Sequence, residues 1–325
     1  METSILITGC SGFLASHLID RLITHSKEGI TLYGLTEVKT FSSPHLHVFH
    51  EDIRNRLAIH NIIEKIRPNL TFHLAAIANV GFSWKHQEET YGVNFIGTSN
   101  LLEGLGKFVP GSRVMLMSSG ELYGGNNGNP CSESTHVATP TNPYALSKVA
   151  MEMIGDLYGL HTEHDLEIIK LRAFNFTGPG QSRLFMASDF SYQIAKIEKG
   201  MEERVINVGN LTAERDFSDV RDIARYLHEI ALKGHNGGIY NLCSGRVFST
   251  LEVLDKLLSF STVKIEKRVD ASKLRPVDVP KLQGDNRLIR ESFGLIPNYN
   301  MDQTLQDLLD YWRERVNLEA KGKNA

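Results

Sequence analysis

The chain has 325 residues, with 35 Lys and Arg against 38 Asp and Glu, a net charge of −3 and 41% hydrophobic residues. That length buries a sizeable core and holds about two domains' worth of chain. Charges of both signs are dispersed, with no basic block or acidic tail, which excludes nucleic acid and an anionic membrane as expected partners.

Short β-branched runs and amphipathic helical patterns alternate from the first residues. Strands are expected at Ser4–Thr8, Thr31–Leu35, Leu46–His50, Leu70–Leu74, Arg113–Met117 and Leu166–Leu171. Helices are expected between them at Phe13–Thr24, Arg56–Ile66, Glu88–Lys107 and Tyr144–His161. This alternation with short connections predicts an α/β protein: a doubly wound parallel sheet of the Rossmann type, spanning about residues 1–172. The stretch RAFNFTGPGQSRLF then reads as a loop. Beyond it come a helix near Ala187–Lys199, a strand near Val205–Val208 and a helix near Val220–Leu232. A strand near Ile239–Leu242, a helix near Leu251–Ser259, a strand near Val263–Lys267 and terminal helices follow. Residues 173–325 are therefore expected to form a smaller substrate lobe, with an interleaved boundary because both lobes share one cleft.

The N-terminal METSILITGCSGF has neither the charged start nor the apolar core of a signal peptide. No run reaches the ~18 apolar residues of a membrane span. The cysteines Cys10, Cys131 and Cys243 are scattered, without CxxC or zinc spacing, which fits a reducing, cytoplasmic setting. His45, His47 and His50 have strand-like spacing and no nearby carboxylate pair, so a solvated strand edge is expected and no metal.

Gly9 and Gly12 lie between the first strand and the first helix. Gly9 permits the tight turn and Gly12 lets the backbone approach a pyrophosphate, whose charge the helix N-terminus stabilises. Ala15 stands for the third glycine and is still small enough for close packing. A dinucleotide, NAD(H) or NADP(H), is expected against Gly9, Ser11, Gly12, Phe13 and Leu14. Thr36 occupies the position after the second strand where an acid would select NAD, with Glu37 beside it and Lys39 near, so the preference between the two coenzymes stays open. Asp52 and Ile53 are expected at the adenine. Leu74, Ala75 and Ala76 leave room beside the fourth strand, and Leu171 is expected to reach the cofactor from the sixth.

Two further stretches carry proton chemistry. NPYALSK opens a helix with Asn142 as cap and Pro143 in the first turn. Tyr144 and Lys148 are i and i+4, so they share a face. A nearby ammonium is expected to lower the phenol's pKa and let the pair move a proton at neutral pH. SSGELYG follows the fifth strand. There Ser119 stands at a carboxyl end, where ligands bind in such sheets, and Glu121 is a base, a substrate contact or a loop charge.

Strand–GxxG–helix, HLAA, Ser119, Tyr144 and Lys148 together resemble the extended short-chain dehydrogenase/reductases of the NAD-dependent epimerase/dehydratase family. FNFTGPGQ, VGNLTAERDFSDV, YNLCSG and LRPVDVPKLQGDNRLI resemble its GDP-sugar branch. The resemblance implies Ser119, Tyr144 and Lys148 as catalytic triad, with Lys148 also holding the nicotinamide ribose. It implies a nucleotide-diphosphate-sugar substrate held by Ser83, Asn175, Arg215, Arg275 and Asp278, with the two arginines expected in loops. It implies reduction of a 4-keto-6-deoxyhexose, GDP-4-keto-6-deoxy-D-mannose to GDP-D-rhamnose, with a GDP-mannose 4,6-dehydratase or an epimerase as alternatives. A non-catalytic dinucleotide sensor is the remaining reading, which the complete Ser/Tyr/Lys set disfavours. A homodimer through the Glu88–Lys107 and Tyr144–His161 helices is also implied. Phe176 departs from the family's usual histidine.

Overall fold

The computed structural model describes residues 3–25, 29–160, 164–270 and 279–322. Strands β1 (Thr3–Thr8), β2 (Ile30–Thr36), β3 (His47–His50), β4 (Leu70–His73), β5 (Arg113–Ser119) and β6 (Glu167–Ala173) lie in one sheet with a seventh strand, Ile239–Leu242. Their order is Ile239–Leu242, β6, β5, β4, β1, β2, β3, and every pairing is parallel.

The strand sequences explain why both faces are covered. Ile5 and Ile7 of β1, with Met115 of β5, enter one apolar layer. Leu6, Val114 and Leu116, the alternate residues, enter the opposite layer. A period of two with apolar residues in both phases is the mark of a strand buried on both sides. The first layer is closed by the helices Phe13–His25 and Val220–Lys233, the second by Arg56–Ile66, Gly97–Phe108 and Pro143–Leu160. A third core gathers the helices Met186–Glu198, Thr250–Ser259 and Met301–Ala320 over a small sheet centred on Glu214–Asp219. That strand pairs antiparallel with Val247–Ser249, and parallel with Asn175–Thr177 and Lys281–Leu282. Among the described residues, no helix is long and apolar enough to cross a membrane.

Several elements differ from the sequence expectation. Ile239–Leu242, read as part of the second lobe, is an edge strand of the main sheet beside β6. Three residues of the expected loop, Asn175–Thr177, pair with Phe217–Asp219. The Val263–Lys267 strand is shifted to Glu266–Val269, where its partner Val205–Val208 sets the register. The expected Glu88–Lys107 helix is a short helix, Gln87–Tyr91, then one π turn, Gly92–Ile96, then Gly97–Phe108.

The chain runs outward from β1 through β2 to β3, then returns to β4 on the other side of β1. This reversal opens a crevice at the carboxyl ends of β1 and β4, the usual ligand position in such sheets.

Candidate active site

The crevice is floored by Gly9. Its φ is +68°, and an added Cβ would lie 2.8 Å from the Ala75 backbone, so only glycine fits between the two strand ends. Gly9 and Cys10 donate their N–H groups to Leu35 O, and Gly12 N–H donates to Gly9 O, which folds the loop back under the helix that starts at Phe13. A glycine cradle facing a 13-residue helix N-terminus fits a dinucleotide pyrophosphate. Ser11 Oγ and Thr36 Oγ1 are 2.7 Å apart, so Thr36 does reach the loop from the end of β2. Phe13 stacks on Phe176 with centroids 5.9 Å apart. The residue standing for the family's histidine is thus a packing residue that covers the start of this helix.

Not every expected cofactor contact reaches the crevice. Leu14 is buried in the first apolar layer. Leu171 is fully buried in the same layer, because its phase along β6 turns it into the core. Asp52 is gripped by Arg54, which donates from both its backbone and its guanidinium, and this hydrogen bonding holds the carboxyl below its usual range. Ile53 packs under Gly97. Leu74, Ala75 and Ala76 follow β4, with Ala75 N–H donating to Thr8 Oγ1. Thr8 in turn lies 2.8 Å from His73, whose burial lowers its pKa to about 3, so this imidazole is neutral.

The residues expected to transfer protons converge. Ser119 ends β5 and caps the turn Gly120–Tyr123, accepting from Glu121 N–H at 3.2 Å. Asn142 Oδ1 accepts from Ala145 N–H at 2.8 Å, so the expected cap is formed and the helix Pro143–Leu160 starts directly before Tyr144. Ser119 hydrogen-bonds the Tyr144 phenol. Burial, with a smaller contribution from the Glu121 charge, nonetheless pushes that phenol up to about 12. The sequence expectation of a lowered phenol pKa is therefore reversed in this state. Lys148 sits over the Tyr144 ring, 6.0 Å from its centroid, but donates to Met117 O at 2.6 Å. Burial brings Lys148 down to about 7, opposed by Glu152. Tyr144 is thus a proton holder across the working pH range.

Below about pH 7 Lys148 is a buried cation, while in the unfolded chain it is charged up to about 10.5. Its burial cost is full below the folded value and fades as pH rises toward the unfolded one. Lys148→Met is expected to raise the melting temperature most below pH 7, with the gain shrinking toward pH 10. A gain that is flat with pH in thermal melts would refute the assignment.

Sequence reasoning missed Asn94. It sits in the π turn, fully buried. Its amide donates to Ile77 O and to Ser147 Oγ and accepts from Ile77 N–H, tying the loop after β4 to the helix that carries Tyr144. A lone asparagine in an apolar helical stretch was the available signal, and π turns recur at functional sites.

The expected substrate residues are less concentrated. Ser83 is fully buried and donates to Val80 O inside its own helix. Asn175 is exposed, opposite Phe217. Arg215 lies on a strand rather than in a loop, is buried, and donates from Nη1 to Val279 O at 2.7 Å. Arg275 and Asp278 lie outside the described residues. All three cysteines are buried, and burial raises their thiol pKa values, which argues against a thiolate nucleophile.

Residues 6–308 match the family model for GDP-mannose 4,6 dehydratase. The GDP-6-deoxy-D-mannose reductase of Pseudomonas aeruginosa is 28% identical over 98% of this chain and all of its own length. The structure of RMD from the same organism, complexed with NADPH, superposes with a TM-score of 0.82 at 26% identity, covering 97% of this chain and all of that one. UDP-glucose 4-epimerase of Thermotoga maritima, solved with UDP-glucose, gives 0.86 at 25% identity, covering 97% of this chain and all of the epimerase.

Proposed function

We propose that this chain, which belongs to the GDP-mannose 4,6-dehydratase family and is an NAD(P)-dependent enzyme, reduces the C4 ketone of GDP-4-keto-6-deoxy-D-mannose, giving GDP-D-rhamnose, in the cytoplasm. The observation that carries this reading is the Ser119–Tyr144 pair, a serine hydroxyl hydrogen-bonded to a phenol that keeps its proton. Reduction of a ketone needs a proton delivered to the oxygen as it becomes an alkoxide, and a held phenol proton is suited to that. End-to-end likeness to a relative named for reductase activity supports the same choice.

The reduced nicotinamide supplies hydride to C4 when bound. Gly9, Ser11 and Gly12 hold its pyrophosphate. Ser119 orients the C4 oxygen, Tyr144 donates its proton to it, and Lys148 holds the ribose and tunes the phenol. Asn175, Arg215, Arg275 and Asp278 anchor the GDP moiety, and the guanidinium fork suits a diphosphate.

The test supplies GDP-mannose to the purified protein, with and without a separate dehydratase, and follows NADPH and NADH absorbance. Coenzyme loss only with the keto sugar is expected. A keto product from GDP-mannose alone, without coenzyme consumption, would make the chain a dehydratase.

Glu121 separates the two readings. Its charge reaches Tyr144, and in a reductase it positions a sugar hydroxyl. Glu121→Gln is then expected to lower turnover modestly, about tenfold or less. Complete loss, with a solvent-exchangeable C5 proton in the parent enzyme, would mark Glu121 as the elimination base.

We also propose a homodimer. On the helix Pro143–Leu160, Leu146, Met153, Leu157 and Leu160 are 46%, 67%, 57% and 82% exposed, beside Ile96 at 46%. A second copy of this face is the natural cover for an apolar stripe of that length. Leu157→Glu is expected to yield a monomer by light scattering, and an unchanged mass would remove the proposal.

A further inference from the structure

His73, the last residue of β4, is buried between two threonines that are themselves fully buried. Its Nδ1 is 2.8 Å from Thr8 Oγ1, across the pairing of β4 with β1. Its Nε2 is 2.8 Å from Thr98 Oγ1, in the helix that follows the π turn. Burial, and then the Lys148 charge, keep the ring neutral, so it carries one N–H.

The neighbours decide which nitrogen holds that proton. Thr98 has a single hydroxyl proton and gives it to Asn94 O at 2.6 Å. A carbonyl can only accept, so Thr98 Oγ1 accepts from His73, and the proton is on Nε2. Nδ1 is then the acceptor and the Thr8 hydroxyl the donor. Thr8 Oγ1 in turn accepts from Ala75 N–H at 3.1 Å. Each proton along this line has an acceptor, and all point the same way.

The line joins two parts of the active site. At one end Thr8 directly precedes Gly9, which packs on the Ala75 backbone at the floor of the dinucleotide crevice. At the other end Asn94 passes the constraint on through its own covalent frame: its amide donates to Ser147 Oγ, which donates to Tyr144 O. An apolar side chain would fill the space of His73. Only a group that accepts at one end and donates at the other completes both hydrogen bonds.

We propose that His73 is a positioning residue, holding the coenzyme loop through Nδ1 and the helix of Tyr144 through Nε2–H. Buried as it is, it acts through Thr8 and Thr98 rather than on the substrate. The catalytic half of this rests on the proposed ketone reduction, for which the Tyr144 hydroxyl must meet the C4 oxygen.

Two variants separate the arms, because an asparagine amide stands near the place of Nδ1 and a glutamine amide near that of Nε2. His73→Asn keeps an acceptor for Thr8. Its NADPH affinity, by fluorescence titration, is expected within about threefold of the parent, while kcat with the keto sugar falls at least about tenfold at unchanged KM. His73→Gln keeps a donor for Thr98. Its kcat at saturating NADPH is expected within about threefold, while NADPH binds at least about tenfold more weakly. Equal losses in the two variants, or the opposite split, would overturn the proposal. If either fails to fold, Thr98→Val keeps the shape and removes the acceptor of Nε2–H. It is expected to lower kcat and spare NADPH affinity, and any other pattern counts against His73. A nitrogen–proton correlation spectrum of the chain with isotope-labelled histidine, without coenzyme or sugar, reads the tautomer directly. An Nε2–H signal that vanishes in the His73 variants is expected. An Nδ1–H or doubly protonated ring would overturn the proposal even if turnover stands. Absence of keto-sugar turnover in the parent would instead strike the proposed reduction, and the NADPH split between the two variants then decides the role of His73.

Discussion

Tyr144→Phe is expected to lower keto-sugar turnover by about a thousandfold, within the range that general acid–base groups contribute. The ring stays, so packing against the sheet is unchanged; only the hydroxyl is lost. That hydroxyl is the group Ser119 hydrogen-bonds, and burial holds its proton up to about 12. Without it, hydride addition at C4 would leave an alkoxide with a serine hydroxyl as its nearest donor. A serine can orient the oxygen but is a far weaker acid. Coenzyme binding, read by protection of the reduced nicotinamide's fluorescence, should persist, because the glycine cradle is untouched. The loss should therefore fall on kcat and leave KM nearly unchanged. Activity within tenfold of the parent would sink the assignment of Tyr144 as proton donor, and with it the separation from a non-catalytic dinucleotide binder.

Much of this arrangement was legible locally. The six strands β1–β6 follow from β-branched runs with both phases apolar. The glycine pair at the first turn and the i, i+4 Tyr144–Lys148 spacing are short-range patterns, and Asn142 and Pro143 gave the correct helix start. What was not legible depends on contacts distant in sequence. Ile239–Leu242 could be recognised as a strand, but its pairing with β6 across about seventy residues has no local signature. Arg215 looked like a loop arginine because Glu214–Asp219 is polar. Its strand exists because Asn175–Thr177, Val247–Ser249 and Lys281–Leu282 pair with it. The Tyr144 shift was misjudged for a related reason. Spacing shows that an ammonium is near the phenol, but not that both are buried or that Lys148 is engaged by Met117 O. Desolvation then outweighs the neighbouring charge.

Behind the active-site strand lies a buried polar chain whose disruption should have the largest effect on stability. Glu152, one turn beyond Lys148, accepts from Ser118 Oγ at 2.5 Å and from Arg172 at 2.9 and 2.7 Å. Arg172 donates to the Tyr123 hydroxyl, which donates to Asn241 Oδ1. Glu152 and Arg172 are 5% and 4% exposed. Glu152→Ala leaves a buried guanidinium without its counter-charge, which costs about 3–5 kcal/mol. Replacing both, as Glu152→Leu with Arg172→Met, removes the stranded charge and is expected to recover most of the loss. Recovery should stop short of the parent, because the Ser118 hydroxyl loses its acceptor and Tyr123 loses a donor. Urea midpoints of Glu152→Leu, Arg172→Met and the double variant check this. Additive losses would show that the pair is not coupled. Activity carries a separate reading. Ser118 precedes Ser119, Tyr123 closes the turn that holds Glu121, and Glu152 shares a helix with Tyr144 and Lys148. The chain thus ties together the three segments from which the proposed proton-transfer residues project. In the recovered double variant, kcat is expected to stay low while KM changes little, and removing Glu152's charge should let the Lys148 pKa fall further. A double variant with parental stability and parental turnover would reduce the network to packing.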